Sequence, residues 1–153
     1  MNATCLIVYA SMSGNTEELA QLIGEGINQA GVTVEIKDIL MSDVVELKEY
    51  DGILLGAYTW GDGDLPDEFL DFYEEMNSLD FKGKMAAAFG SCDSSYDHWG
   101  RAVDILSNKL VELGAEVVLD GLKIDLAPTD SEKEQCIQFG QSFGKKMRGV
   151  SLK

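Results

Sequence analysis

The first segment of the chain with ligand-binding chemistry reads Ser11-Met12-Ser13-Gly14-Asn15-Thr16. It follows an apolar run at residues 6–9 and precedes a helical pattern, and hydroxyls and backbone N–H groups at a helix start bind anions. This first loop (residues 11–16) has no Lys or Arg, the cations with which nucleotide-hydrolysing loops hold a polyphosphate. It therefore favours a terminal monophosphate. The alternative is an ordinary strand-to-helix turn in which Ser and Thr act as caps.

Two later loops each combine an aromatic residue with Gly, Ser and Asp. The second loop (residues 58–64) contains Trp60, and the third loop (residues 90–98) contains Tyr96. Both follow predicted buried strands, and ligands of open parallel sheets bind beyond the carboxyl ends of the strands. Either aromatic residue alone is better explained as a packing residue. Together at this edge of the sheet, they favour a flat, phosphorylated ring enclosed between them.

The elements that must position these loops are short β-rich runs alternating with longer helical patterns. The predicted strands are residues 4–9, 32–36, 52–57, 85–89 and 116–122. Several are apolar throughout, which is typical of strands covered on both faces. Gly31 and Gly114 predict helix C-termini, and Pro66 predicts a helix start. Thr129 with Glu132 predicts a capping box. The alternation predicts an open, doubly wound α/β sheet with helices on both faces.

Composition favours a single domain that spans residues 1–153. The chain is 45% hydrophobic and 25% charged, as in ordinary globular proteins. It has no apolar run of membrane-spanning length and no signal-peptide pattern, so we expect a cytoplasmic protein. The 3 cysteines include no closely spaced pair, which argues against a disulfide framework or a zinc site.

The charge pattern constrains the partners of the chain. A net charge of −15 argues against nucleic acid and against an anionic membrane. Between Lys48 and Lys82 there are many acidic residues and no basic one. Such a segment could steer a basic protein partner, although solubility alone also explains acidic surfaces.

Taken together, the three loops resemble those of the flavodoxin family, in its short-chain form. The first loop is similar to the family's phosphate loop, and Trp60-Gly61-Asp62 and Asp93-Ser94-Ser95-Tyr96 are similar to its two flavin-flanking loops. The similarity covers nearly the whole chain, and residues 116–124 lack the long insertion of the long-chain members. The resemblance implies five parallel strands in the order 2-1-3-4-5. Flavodoxins are among the proteins that define the ligand-edge rule, so the place of the site is part of the resemblance.

The resemblance also implies which residues bind the cofactor, FMN. The residues implied for the phosphate are Ser11, Met12, Ser13, Gly14, Asn15 and Thr16. Those implied for one face and the N5 edge of the flavin are Thr59, Trp60 and Gly61, with Asp62 beside them. Those implied for the pyrimidine end are Ser91, Cys92 and Asp93, with Tyr96 stacked on the outer face and Asp97 and His98 at the rim. Gly63 and the pair Ser91-Cys92 depart from the residues common in the family. No metal ligand or catalytic residue is implied.

The implied function is that of a low-potential FMN electron carrier that passes single electrons between redox proteins and is not an enzyme. Acidic residues near the ring, such as Asp62 and Asp93, would oppose negative charge on it and keep the potential low. The implied partners are basic-faced redox proteins, namely a flavodoxin reductase-type donor and downstream acceptors. We expect the carrier to be a monomer.

Three other functions are compatible with this class of fold. One is a flavin-dependent reductase of quinone-type small molecules, which the absence of a covering insertion and the two aromatic residues at the ring argue against. Another is an activator of ribonucleotide reductase, a partner-specific role in the same superfamily. The third is a phosphoacceptor domain. It needs an Asp at the end of the third strand, where this chain has Gly56-Ala57, and this difference argues against it.

Single residues with reactive side chains are given ordinary roles. His98, the only histidine, could titrate beside the flavin, but a polar residue at a helix start is the favoured interpretation. Cys92 is interpreted as a small loop residue because no base accompanies it. Cys5 and Cys136 lie on apolar patterns and are predicted to be in the core.

Overall fold

Strands and helices alternate along the chain in the computed structural model, which describes residues 3–12, 14–59, 63–93 and 100–151. The strands are β1 (Thr4–Ala10), β2 (Thr33–Asp38), β3 (Gly52–Ala57), β4 (Met85–Cys92), β5 (Glu116–Val117) and β6 (Leu122–Asp125). The helices are α1 (Asn15–Gln29), α2 (Asp67–Glu75), α3 (Arg101–Glu112) and α4 (Asp130–Ser151). Short 3-10 segments cover Ile39–Met41, Val44–Glu49 and Met76–Ser78. None of the described helices is long and apolar enough to cross a membrane.

These strands form a single parallel sheet. The order is β2-β1-β3-β4-β5, and β6 also pairs with β4, so the predicted order 2-1-3-4-5 is confirmed. In register, Cys5 of β1 lies opposite Gly52 of β3, and Gly52 lies opposite Met85 of β4. The carboxyl ends of β1, β3 and β4 therefore lie side by side, and the segments that follow them share one edge of the sheet. We call this edge the carboxyl edge.

The fifth strand differs from its prediction because it is interrupted. Glu116–Val117 pairs with the start of β4 and Leu122–Asp125 with its end, whereas residues 118–121 form no strand. The prediction of one continuous strand over residues 116–122 was therefore wrong. Asp120-Gly121 is a typical turn pair, and it was the signal for the interruption.

Strand β4 continues further than its apolar residues predicted. The prediction ended it at Phe89, but β6 pairs with Phe89–Cys92 and extends the strand by three residues. Ser91 and Cys92 are therefore the last residues of a strand and not part of a loop. The third loop begins at Asp93.

The two faces of the sheet are both covered, which explains the apolar strands. Leu6 and Val8 of β1 lie in a cluster with α2 and α3. Cys5 and Ile7 point the other way, into a cluster with α1 and α4. The period of 2 along a strand divides its side chains between two cores, so the central strands have few places for a polar residue.

Helices α1 and α4 approach each other closely through glycines. A Cβ at Gly140 would overlap the carbonyl oxygen of Ile23 and lie 2.9 Å from its carbonyl carbon. A Cβ at Gly26 would overlap the carbonyl oxygen of Ile137 in the same way. Because neither glycine has a side chain, the two backbones touch, and this contact fixes the helix that follows the first loop.

The predicted helix ends are mostly confirmed. Gly31 and Gly114 have φ of +90° and +99° just beyond the ends of α1 and α3. Thr129 N donates to Glu132 Oε1 at 3.0 Å and Glu132 N donates to Thr129 Oγ1 at 3.2 Å, which completes the capping box before α4. Pro66 is the N-cap residue, and α2 begins at the next residue.

Candidate functional site

The first loop connects β1 to α1 through a tight turn held by Ser11. Its Oγ accepts hydrogen bonds from Gly14 N at 3.1 Å and Glu17 N at 3.3 Å. Gly14 has φ of +91°, and no atom lies within 4 Å of the position a Cβ would take. Met12 is 66% exposed, and Asn15 is half-buried. The turn therefore has open space beside Gly14, and Met12 next to it in the sequence is exposed to solvent.

The first loop is tied to the end of β4 by a buried pair of hydroxyls. Thr16 Oγ1 donates to Ser91 Oγ at 3.2 Å across 75 residues of sequence. Thr16 is 1% exposed and Ser91 is 7% exposed. The Ser91 side chain, implied to contact the pyrimidine end of the flavin, points to Thr16 in the first loop.

Thr59 ties the start of the second loop to the neighbouring elements. Its backbone N donates to the Ser91 carbonyl oxygen at 3.3 Å. Its Oγ1 accepts from Ala102 N, in the first turn of α3, at 3.4 Å. The ends of β3 and β4 and the start of α3 are therefore linked through one residue, by its backbone N–H and its hydroxyl.

A hydrogen bond also connects the first residue of the second loop to the helix that follows the loop. Tyr58, directly after β3, donates from its hydroxyl to Glu68 Oε1 in α2 at 2.8 Å. Burial and this carboxylate raise the pKa of Tyr58. The pair spans the segment that contains Trp60, and no sequence pattern indicated it.

A similar tyrosine–carboxylate pair supports the first loop. Tyr9 of β1 donates from its hydroxyl to Glu17 Oε2 at 3.1 Å. Burial and the neighbouring Glu17 carboxylate raise the pKa of Tyr9 to about 12. This contact joins the strand before the loop to the first turn of the helix after it.

Cys92 is a buried residue at the carboxyl end of β4. It is 4% exposed, and its carbonyl oxygen accepts from Leu126 N at 2.7 Å. Burial raises the pKa of the Cys92 thiol to about 11, so the thiolate is scarce at neutral pH. The interpretation as an unreactive small residue holds, but its place is in the strand and not in the loop. Cys5 and Cys136 are fully buried in the core, as predicted.

Several of the implied site residues lie outside the described residues. They are Ser13, Trp60, Gly61, Asp62, Tyr96, Asp97 and His98. Asp93, directly after β4, is half-buried, and Asp64 at the end of the second loop is exposed. The described part of the site is therefore the first loop and the strand ends beside it.

The donor chemistry of the described part fits a phosphate monoester. Ser11, Thr16 and Ser91 are hydroxyl residues, and N–H groups in the first turn of an α-helix have no acceptor within the helix, although that of Glu17 already donates to Ser11 Oγ. Gly14 leaves space beside them that a Cβ would narrow. The described residues of the first loop include no cation, so binding there depends on hydrogen bonds and on the helix dipole.

Comparison with known proteins identifies the family. The model of the flavodoxin family matches residues 7–140. The probable flavodoxin 2 of Bacillus subtilis (strain 168) is 47% identical over 145 residues, which cover 94% of this chain and 96% of that protein. The flavodoxin of Maridesulfovibrio salexigens is 37% identical, over 93% of this chain and 97% of that one.

A solved structure agrees with these relatives. The crystal structure of oxidised flavodoxin 1 from Bacillus cereus has a TM-score of 0.91 and 55% identity, and the match covers 94% of this chain and 98% of that one. The sheet order, the place of the first loop and these relatives lead to the same conclusion. The chain belongs to the flavodoxin family, as a short-chain member, and is an FMN-binding electron carrier and not an enzyme.

Proposed function

We propose that this carrier binds FMN with the three loops at the carboxyl edge and exchanges single electrons with redox proteins whose docking faces are basic. The observation that carries the proposal is that the first loop and the start of the second meet at the carboxyl end of β4, directly before the third loop. Ser91 contacts Thr16 of the first loop through its side chain and Thr59 of the second through its carbonyl oxygen. When bound, FMN supplies the one-electron chemistry, and the chain supplies its binding and its surroundings.

The proposed phosphate ligands are the residues of the first loop. Ser11 Oγ accepts two backbone N–H groups, which leaves its own proton to donate to a phosphate oxygen. Gly14 supplies the left-handed turn that curls the loop. The remaining proposed ligands are Met12, Ser13, Asn15 and Thr16.

The proposed flavin-contacting residues lie on the other two loops. They are Thr59, Trp60, Gly61 and Asp62 on the second loop, and Cys92, Asp93, Tyr96, Asp97 and His98 at the end of β4 and on the third. For Ser91 we propose a supporting role, because its hydroxyl contacts Thr16.

A matched pair of glycine variants tests the phosphate site. Gly14 and Gly83 both have positive φ, of +91° and +87°, and at neither position does any atom lie within 4 Å of where a Cβ would be. Alanine at either position should cost about 1–2 kcal/mol of stability because of the left-handed backbone. Only Gly14→Ala should weaken FMN binding, and it should weaken riboflavin binding less, since riboflavin has no phosphate. Equal effects of the two variants on FMN affinity would contradict the proposed site.

The proposed docking face for partners is the acidic surface beside the second loop. Asp64, Asp67 and Asp71 are exposed there, within the segment between Lys48 and Lys82 that has no basic residue. Charge of one sign near a redox site raises the association rate of an oppositely charged partner.

Electron transfer to a cationic c-type cytochrome, measured against ionic strength, tests this face. Neutralising Asp67 and Asp71 together to Asn should slow the bimolecular rate and flatten its dependence on salt. The control neutralises Glu25 and Glu116 to Gln, which removes the same charge from exposed residues on α1 and β5. If both double variants slow the reaction equally, net charge and not a docking face sets the rate.

We further propose that the protein is a cytoplasmic monomer in which residues 1–153 form one domain. The net charge of −15 supports the monomer, because like-charged copies repel each other. Sedimentation equilibrium of the FMN-loaded protein should give the mass of one chain, 16.7 kDa plus the cofactor. A dimer mass at micromolar concentration would contradict it.

A further inference from the structure

The hydrogen bond between Thr16 and Ser91 is unusual because both of the residues that form it are buried. Of the described residues, only three polar or charged ones are buried, and these two are among them. A buried hydroxyl without a partner is unfavourable, because it has given up its hydrogen bonds to water without replacing them. Each hydroxyl therefore depends on the other, although one follows β1 and the other ends β4.

The pair has one more proton than the bond between its members uses. Two hydroxyls carry two protons, and only one of these lies between Oγ1 of Thr16 and Oγ of Ser91. When Thr16 donates to Ser91, it has no proton left for a third group. When Ser91 donates to Thr16, the Thr16 proton is free to point at an acceptor in the first loop. An anion in that loop favours the second arrangement.

We propose that Ser91 is a positioning residue for the phosphate site, acting through Thr16 without touching the phosphate. With an anion in the first loop, Ser91 donates to Thr16 Oγ1, and Thr16 donates to the anion. Hydrogen bonds in such a chain polarise one another, so the Thr16 hydroxyl becomes a better donor. This inference rests on the proposed role of the first loop in binding phosphate.

The position of Ser91 also fixes where Thr16 is held. Ser91 belongs to a paired strand, with Ile124 of β6 opposite it, and its carbonyl oxygen accepts from Thr59 N at 3.3 Å. The hydroxyl is thus mounted on the rigid sheet and not on a loop. Thr16 is anchored to the sheet at the point where the helix starts.

Affinities for FMN, riboflavin and inorganic phosphate, measured on the full-length apoprotein, test the inference. We expect Ser91→Ala to weaken the binding of FMN and of inorganic phosphate about fivefold to tenfold, and the binding of riboflavin less than twofold. Thr16→Val should weaken FMN binding more strongly. The double variant should bind FMN as tightly as Thr16→Val alone, because both residues act through one hydroxyl. Ser91→Cys keeps the shape with a poorer donor and should lie between the wild type and Ser91→Ala.

The outcomes separate this inference from the site proposal. If Thr16→Val leaves FMN affinity unchanged, the first loop is not the phosphate site, and both ideas fail. If Thr16→Val weakens FMN but Ser91→Ala does not, only the role of Ser91 fails. If Ser91→Ala weakens FMN and riboflavin equally, Ser91 supports the ring or the fold, and the inference is overturned. Urea unfolding of each apoprotein identifies any variant that fails to fold. If Ser91→Ala fails to fold, the affinities of Ser91→Cys for the same three ligands test the inference instead.

Discussion

Replacement of Gly140 by alanine tests whether the close contact between α1 and α4 holds the molecule together. The Cβ of this alanine would lie 2.9 Å from the carbonyl carbon of Ile23 and 3.0 Å from the backbone N of Ile27, and would overlap the Ile23 carbonyl oxygen. All of these are backbone atoms of one helix, so no side chain can turn aside. The helices must move apart.

The size of the effect follows from these distances. Non-bonded carbons are ordinarily about 3.5–4.0 Å apart, so relief of the contact with the carbonyl carbon alone needs a separation of about 0.6–1 Å, and relief of the overlap with the oxygen needs more. A gap of about 0.5–1 Å already forfeits a quarter to a half of the dispersion energy at the contact. Overpacking of this kind costs about 1–3 kcal/mol. Alanine returns about 1 kcal/mol through its higher helix propensity. With the cost near its upper limit, we expect a net loss of about 2 kcal/mol, or about 4–8 °C in melting temperature.

The assay is urea unfolding of the apoprotein followed by circular dichroism, with Gly149→Ala as the control. Gly149 lies on the same helix, and no atom lies within 4 Å of the position its Cβ would take. The control should gain up to about 1 kcal/mol from helix propensity alone. An unchanged m-value would show that stability itself changed. If Gly140→Ala proves as stable as Gly149→Ala, the two backbones are not in contact and the reasoning is refuted.

Three other predictions concern side chains. Tyr9 keeps its proton up to about pH 12 when folded but loses it near pH 10 when unfolded, so its share of stability is present below pH 10 and lost between pH 10 and about 12. Tyr9→Phe should flatten the fall in stability over that range, and an unchanged slope would contradict the shift. Lys109 is buried, with Nζ 4.6 Å from the centre of the Tyr73 ring. Lys109→Met keeps its packing and should cost less than about 1 kcal/mol in urea, because both hydrogen-bond partners of the ammonium are exposed, whereas Lys109→Ala should cost about 2–3 kcal/mol. If the two variants lose the same free energy of unfolding, the charge of Lys109 and not its packing stabilises the fold. Thr129→Ala removes the cap of α4 and should cost about 1 kcal/mol, whereas Ser131→Ala should not, and equal melting temperatures would leave the cap without effect.

The order of strands and helices could be predicted because a strand covered on both faces accepts mainly apolar residue types. The strand over residues 52–57 agrees with its prediction at both ends, since every residue in it is buried. Errors occurred where pairing and not composition extends a strand. Ser91 and Cys92 are polar enough to suggest a loop, but β6 lies beside them, and nothing near them in the sequence announces that partner.

The sequence predicts a chemistry for the site, which stays a prediction, but it does not predict the contacts that the structure shows there. The first loop has hydroxyl residues and a glycine but no Lys or Arg, and this combination of residue types favours a phosphate monoester. The contact of Thr16 with Ser91 depends on the register of three strands, which no local pattern encodes. For the same reason the pairing of Tyr58 with Glu68 became visible only in the folded chain.

The interrupted fifth strand has a consequence for how the protein behaves in a crowded cell. Long, flat, unpaired strand edges recruit other chains and begin aggregation. One border of this sheet ends in two short strands of 2 and 4 residues, separated by residues 118–121, and both are too brief to template a foreign strand. The opposite border is β2, whose Glu35 and Lys37 place charges along it. Neither border of the sheet therefore offers the long, uncharged edge that pairing with a second chain requires.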